Sequence, residues 1–242
     1  MSNASPLVFV VFLVVGAAFV VIGYLNNQKR IKAVEQFCVD RGWSYVAEAP
    51  QYVDRWQGHP FGTGERRRAR NVMSGEWRGA AFVGFDYSYE TTSTDANGRT
   101  NRTTHTFGVV ALGLPTYLPT LQVTGESVLR RAAQAVGMGH DIDLESEDFN
   151  RAFTVTSPDP KFASDVLTPR TMEMLLAAPH LAWRIEGTDI LSWATGAFSP
   201  VDVLQRLDHL SKVVAGVPSF VWHDHGYDPQ QPAGGTGGGS AP

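Results

Sequence analysis

The sequence has only one cysteine, Cys38, and no excess of basic residues. With one cysteine no intramolecular disulfide can form, which is compatible with a reducing compartment. Lys and Arg number 20 against 24 Asp and Glu, which gives a net charge of −4. A nucleic-acid-binding protein would need a basic stripe or domain, so we expect no nucleic-acid partner.

Charge is also missing from one long segment, Leu7 to Leu25, whose 19 residues are mostly apolar. A helix that spans a membrane needs about 20 apolar residues. The short N-terminus lacks the basic residues and the small-residue cleavage site of a signal peptide. The sequence therefore predicts one transmembrane helix, and its lack of strongly polar side chains limits it to anchoring.

The first basic residues, Lys29, Arg30 and Lys32, follow this segment. The positive-inside rule places them in the cytoplasm. We therefore expect a single-pass protein of the plasma or inner membrane, with its N-terminus outside and its C-terminal domain cytoplasmic.

The rest of the chain predicts an α+β fold. Alternating apolar residues from Arg67 to Thr124, with an Asn97-Gly98 turn, indicate an antiparallel β-meander. Proline follows a capping side chain at residues 159–160, 168–169 and 199–200, which marks three helix starts. We also expect a helix over 126–136, a strand over 147–156 and a hairpin turn at 186–189. The predicted parts are 1–6 outside the membrane, 7–25 spanning it, a juxtamembrane helix 26–42, an α+β domain 43–228 and a disordered Gly/Pro-rich tail 229–242.

One stretch resembles a known family. The chain reads Asp148-Phe149-Asn150-Arg151-Ala152-Phe153-Thr154-Val155 and later Leu167-Thr168-Pro169-Arg170-Thr171-Met172. Together these segments resemble a bacterial, actinobacterial-like family of membrane-associated proteins of unknown function. The resemblance extends over about Phe61 to Leu176 and implies a membrane location. It implies no activity and no catalytic residue, and packing and capping also explain the matching residues.

Two groups of side chains are candidate sites. Arg66, Arg67, Arg68 and Arg70 form a basic cluster that could contact anionic lipid headgroups, and it could equally be a solvated strand face. His223 and His225 would share a face if their segment were extended, and with His140 or Asp141 could bind a metal ion. Alternatively, the two histidines are solvated polar residues just before the tail and bind nothing. An acidic run at 143–148 is interpreted as a charged strand edge.

No nucleophile, phosphate-binding or cofactor motif accompanies these groups. Gly62-Thr63-Gly64 lacks the Gly-Lys-Ser/Thr ending of a phosphate loop, so no cofactor is predicted. We therefore expect a membrane-anchored cytoplasmic domain that acts as a protein-binding or scaffolding module. The alternative is a membrane-tethered enzyme or a ligand- or lipid-binding domain, with a site assembled from residues far apart in the sequence.

Overall fold

A computed structural model of the chain describes residues 6–125, 140–177 and 181–230. The predicted helix over 126–136 and the tail from residue 231 lie outside these residues. The helices are α1 (Pro6–Arg41), α2 (Glu147–Ala152), α3 (Pro160–Val166), α4 (Pro169–Leu176), α5 (Pro200–Gly216) and α6 (Ser219–Asp224). The strands are β1 (Ser44–Glu48), β2 (Glu65–Trp77), β3 (Ala80–Thr94), β4 (Thr100–Gly125), β5 (His140–Asp141), β6 (Phe153–Ser157) and β7 (Ala182–Thr195).

The strands form one antiparallel sheet, which confirms the predicted meander and the α+β class. β1, β2, β3 and β4 pair in chain order, and the last residues of β4 pair with β6, which pairs with β5. β7 also pairs with β4. The turn at Asn97-Gly98 joins β3 to β4, and Gly98 takes the positive φ that such a turn requires.

β7 folds back on itself at the predicted turn. The Ser192 hydroxyl donates to the Ala182 carbonyl at 2.6 Å, although ten residues of straight strand would separate them by about 33 Å. Gly187, at the bend, has a φ of 66°. Both limbs of β7 are antiparallel to the part of β4 that they pair with, so β4 also reverses, between Gly113 and Leu118.

The sheet separates two apolar clusters. On one face the helices pack around residues such as Trp183, Leu121 and Leu207. On the other face a segment over residues 49–64, hereafter the strap, packs Trp56 and Phe61 against aromatic side chains of the sheet. Both faces of the sheet are therefore covered over much of their area.

Local capping signals account for the helices after the meander. Asp159, Thr168 and Ser199 each accept a hydrogen bond from a backbone N–H of the helix that follows, which confirms the three predicted starts. Ser199 and Asp202 form a full capping box.

The predicted strand over 147–156 is wrong in its first half, which is helix α2. The Ser146 side chain accepts from the Phe149 N–H, and two acidic residues in the first turn favour a helix. Phe149 of the helix and Phe153, the extended residue that follows it, stack with ring centroids 4.8 Å apart. The acidic run is therefore not the edge strand that was expected. Residues 142–146 are irregular, and Glu147 and Asp148 pair with Arg151.

Candidate functional site

The junction between α1 and the sheet is organised around Asp86, in the middle of β3. Its Oδ2 accepts from Arg30 Nη2 and from Asn71 Nδ2, both at 2.7 Å. Its Oδ1 accepts from the backbone N–H of Phe198 at 3.3 Å, and Arg30 Nη1 donates to the Phe198 carbonyl at 3.3 Å. The Asp86 side chain is only 11% exposed, so these bonds fasten α1 firmly to the domain.

Backbone irregularity and a glycine make this junction possible. Asn71 lies at a β-bulge in β2 with a φ of 51°, and its Oδ1 accepts from the Tyr45 hydroxyl at 3.0 Å. Gly108 lies opposite Asp86 in β4, and a Cβ at this position would overlap the ring of Phe198. Gly108 thus leaves the space that lets Phe198 approach the carboxylate.

The contacts of α1 fix its direction across the sheet. Arg30 bonds to Asp86, while Phe37, two turns later, packs on Trp43 with ring centroids 5.7 Å apart. The Trp43 ring lies 4.5 Å from that of Phe82, four residues before Asp86 in β3. From Phe37 back to Arg30, α1 therefore runs in the direction that β3 takes from Phe82 toward the β3–β4 turn.

The N-terminal half of α1 leaves the domain with its apolar side chains exposed. All side chains described from Leu13 to Asn27 are exposed, including Phe19 at 71% and Leu25 at 51%. Val34 and Cys38, by contrast, are each 1% exposed in the core. No helix among the described residues meets the length and hydropathy of a membrane span.

Three of the four arginines of the basic cluster lie beside a carboxylate. Arg67 Nη1 is 2.7 Å from Asp54, Arg66 Nη1 is 3.5 Å from Glu90, and Arg70 Nε is 3.9 Å from Glu48. Arg68 is exposed, faces Ser88 across the strand pair, and has no carboxylate within 4.0 Å in the described part of the chain. The exposed pairs contribute little stability, so the cluster remains available to solvent or to a partner.

The histidine pair does not have the extended conformation on which its shared face depended. His223 lies in α6 and His225 caps it. His223 Nε2 is 3.1 Å from Asp228 Oδ1, whereas His225 Nδ1 is 2.9 Å from the Val221 carbonyl. Across the described ranges no three metal-ligating side chains come together, and the side chain of His140 lies outside them. Metal binding by this pair stays a prediction.

A cleft between α4 and α5 bears on the enzyme alternative. It has a volume of about 280 Å³ and is lined by Arg170, Thr171, Met174, Lys212, Ala215 and Gly216. These residues supply two cations and an apolar floor. They include no carboxylate, imidazole or thiol that could act as a general base or nucleophile.

The strap is held by a charged network that sequence reasoning missed. Asp189 Oδ2 accepts from Arg55 Nε at 3.1 Å and Nη2 at 2.9 Å, and from Trp56 Nε1 at 3.1 Å. Arg184, 1% exposed, donates to the His59 carbonyl and pairs with Glu186 at 3.0 Å. Burial lowers the pKa of Arg184 and of His59. No local sequence signal could have linked residues more than 120 positions apart.

These features define an α+β domain with an antiparallel sheet, helices on one face, and a long N-terminal helix fastened to it by an ion pair. A solved structure shares this fold at a TM-score of 0.55: the crystal structure of the mycobacterial trehalose monomycolate transport factor A, TtfA. The alignment covers 78% of this chain and 96% of that chain at 15% identity, a level that shows the fold alone. No family model and no curated protein matches the chain. The resemblance to a membrane-associated family stays a prediction.

Proposed function

We propose that the chain is a non-enzymatic, membrane-anchored domain that binds a protein partner at the inner membrane surface. One observation carries this proposal. The same helix exposes apolar side chains from Leu13 to Leu25 and is fixed in the core through Val34 and Cys38. An exposed apolar surface of this extent is characteristic of contact with a membrane or another protein.

The direction of insertion follows from charge. Lys29, Arg30 and Lys32 lie directly after the uncharged run of 19 residues that ends at Leu25. The positive-inside rule favours a cytoplasmic domain and an external N-terminus. In this arrangement Arg66, Arg67, Arg68 and Arg70 form the proposed contact with anionic headgroups.

The fold supports an accessory role. TtfA, the protein of similar fold, is described as a transport factor, and the lining of the cleft between α4 and α5 includes no carboxylate, imidazole or thiol. We therefore propose that the partner is a membrane transport component. We also propose that the chain is related to the membrane-associated family that its 148–172 segment resembles.

Membrane fractionation tests the anchor. The full chain should stay in the membrane pellet after alkaline carbonate extraction, and a chain that begins at Asn27 should be released. Full chains carrying Val14→Glu with Phe19→Glu should also be released, because charged side chains are costly in hydrocarbon. A full chain that washes off as readily as the shortened one would contradict the anchor. A reporter enzyme that works only in the cytoplasm should be active when fused after Pro242. A reporter that works only outside the cytoplasm should be inactive there.

Crosslinking in native membranes tests the partner. A photoreactive residue placed on the domain surface should give one reproducible crosslinked protein, recovered in proportion to the amount of the full chain. Recovery of no reproducible partner from any surface position would contradict the protein-binding role while leaving the anchor intact.

A further inference from the structure

The cleft between α4 and α5 lies where the start of one helix meets the end of the other. Six residues line it, three from each helix: Arg170, Thr171, Met174, Lys212, Ala215 and Gly216. Thr171 is 2% exposed, and a Cβ on Gly216 would come within 3.3 Å of the Thr171 Oγ1. The glycine therefore lets the last turn of α5 approach α4 closely and form the bottom of the cleft.

The cleft carries a net positive charge. Arg170 is exposed and has no carboxylate within 4.0 Å among the described residues. Lys212 Nζ lies 2.8 Å from Asp208 Oδ2, but the same carboxylate lies 2.8 Å from Arg78 Nη2. Glu173, the acid of α4, does not line the cleft. Two cations thus share one acid, and Arg170 remains without a counter-ion in the described chain.

The same cleft offers apolar surface beside its cations. Arg170 and Met174 are four residues apart, so they are neighbours on the surface of α4, and Lys212 and Gly216 are related in the same way on α5. Met174 is partly buried, and its unbranched thioether can fit an irregular apolar group. Each wall therefore has a cation about one helical turn from an apolar or small residue, an arrangement that suits a ligand with a charged head and an apolar body.

The size of the cleft limits what can occupy it. Its volume of about 280 Å³ is roughly nine times the share of one water molecule in the liquid, which is space for roughly nine non-hydrogen atoms. A stable protein interface takes about 20–30 residues from each partner, far more than line this cleft. The cleft is therefore matched to a small molecule or to one end of a lipid.

We infer that the cleft binds an anionic amphiphile, a carboxylate that carries an alkyl chain. Arg170 and Lys212 bind the carboxylate, and Met174 packs against the chain. Thr168 Oγ1 is 3.0 Å from Thr171 Oγ1 and can donate to it, which leaves the Thr171 hydroxyl to donate to the ligand. The same chemistry is found in a short-chain acid dissolved in water and in the head end of a fatty acid held by a bilayer.

Nuclear magnetic resonance of the methionine methyl groups tests this site. The full chain, with labelled methyl groups and in phosphatidylcholine nanodiscs, is titrated with hexanoate, which is about the size of the cleft. The Met174 signal, assigned by its loss in Met174→Leu, should shift saturably, whereas that of Met73, 3% exposed in the core, should not. Hexanol lacks the charge and acetate lacks the chain, so each should bind at least about tenfold more weakly.

A second titration distinguishes the two sources of ligand. Nanodiscs that contain oleate replace those of phosphatidylcholine alone. A Met174 shift with oleate would support binding of a fatty acid from the bilayer, and a shift with hexanoate alone would support binding of a dissolved acid.

Variants show whether the lining residues are the cause. Arg170→Gln and Lys212→Gln should each weaken hexanoate binding about tenfold. Ala215→Leu should abolish binding by filling the cleft, and it should leave the fold intact, because Ala215 is exposed and leucine is a good helix former. The matched control is Arg151→Gln, an exposed arginine of α2, which should bind hexanoate like the parent.

Three results would overturn the inference. The first is the absence of a saturable Met174 shift at hexanoate concentrations up to about 10 mM, beyond which binding is too weak to be specific. The second is an equal shift with hexanol, and the third is an equal loss of binding in Arg151→Gln and Arg170→Gln. Retention of the chain in the nanodisc reports on the anchor separately, so these results would leave the anchor standing.

Discussion

At the scale of single residues, the most perturbed imidazole is His209, on the buried face of α5. It is 6% exposed, and its Nε2 is buried with no hydrogen-bond partner in the described chain. Burial, with smaller contributions from the neighbouring cations Arg206 and Lys212, lowers the pKa of His209 to about 4. The folded protein therefore holds this imidazole neutral near pH 7.

The protein should consequently lose stability in acid. Since the pKa of His209 in the fold, about 4, is below that of an unfolded histidine, about 6.5, the neutral ring contributes fully above pH 6.5. This contribution is lost as the pH falls from 6.5 through 4, and amounts to roughly 3 kcal/mol at most. Urea unfolding at several pH values measures the free energy of unfolding. In His209→Leu this free energy should change less between pH 6.5 and 4. An unchanged slope in the variant would show that His209 is not responsible.

At the scale of elements, the packing of Phe198 against β4 depends on Gly108. A Cβ on residue 108 would overlap the Phe198 ring, which also lies 4.3 Å from the Arg206 guanidinium. Gly108→Ala should therefore destabilise the domain by about 1–3 kcal/mol, the range for overpacking. Chemical denaturation measures this loss of unfolding free energy.

A double variant shows whether the ring is the cause. In a Phe198→Ala background, Gly108→Ala should cost almost nothing further, because the group that it meets has been removed. Additive costs would instead indicate that residue 108 is constrained by the backbone, and would contradict the packing explanation.

The elements also show which parts of the fold the sequence could predict. The three helix starts were predictable because a cap and a proline act within four residues. The strand expected over 147–156 was half wrong because its apolar spacing fits both a strand and a short helix, and the cap at Ser146 favours the helix. In α5, Val201 is 60% exposed while Arg206 is buried, an arrangement that apolar spacing alone does not predict.

The candidate site was less predictable than the fold. The exposed cluster at Arg66–Arg70 could be read from composition, but its ion pairs could not. Arg30 and Asp86 are 56 positions apart, and Arg55 and Asp189 are 134 apart. Such pairs depend on strand register and on where the strap crosses the sheet, which neither periodicity nor capping specifies.

At the scale of the whole molecule, the second half of α1 belongs to the folded domain. Val34 and Cys38 are part of the larger core cluster, and Arg30 neutralises the largely buried carboxylate of Asp86. The domain boundary therefore falls inside a continuous helix, between its exposed apolar half and the half that packs on the domain through Arg30, Val34 and Cys38. These contacts all come from residues 30–38, within the predicted juxtamembrane helix over 26–42.

Two truncated chains test this boundary. A chain of residues 27–242 keeps Val34, Cys38 and the ion pair between Arg30 and Asp86, and it should unfold cooperatively. A chain of residues 43–242 loses two buried apolar side chains and leaves Asp86 without its cation, each a change that typically costs more than about 2 kcal/mol. It should be unfolded or far less stable by circular dichroism and urea denaturation. Asp86→Asn in the shorter chain removes the unpaired charge and should recover part of the loss. Equal stability of the two chains would mean that α1 is only a tether and contributes nothing to the stability of the domain.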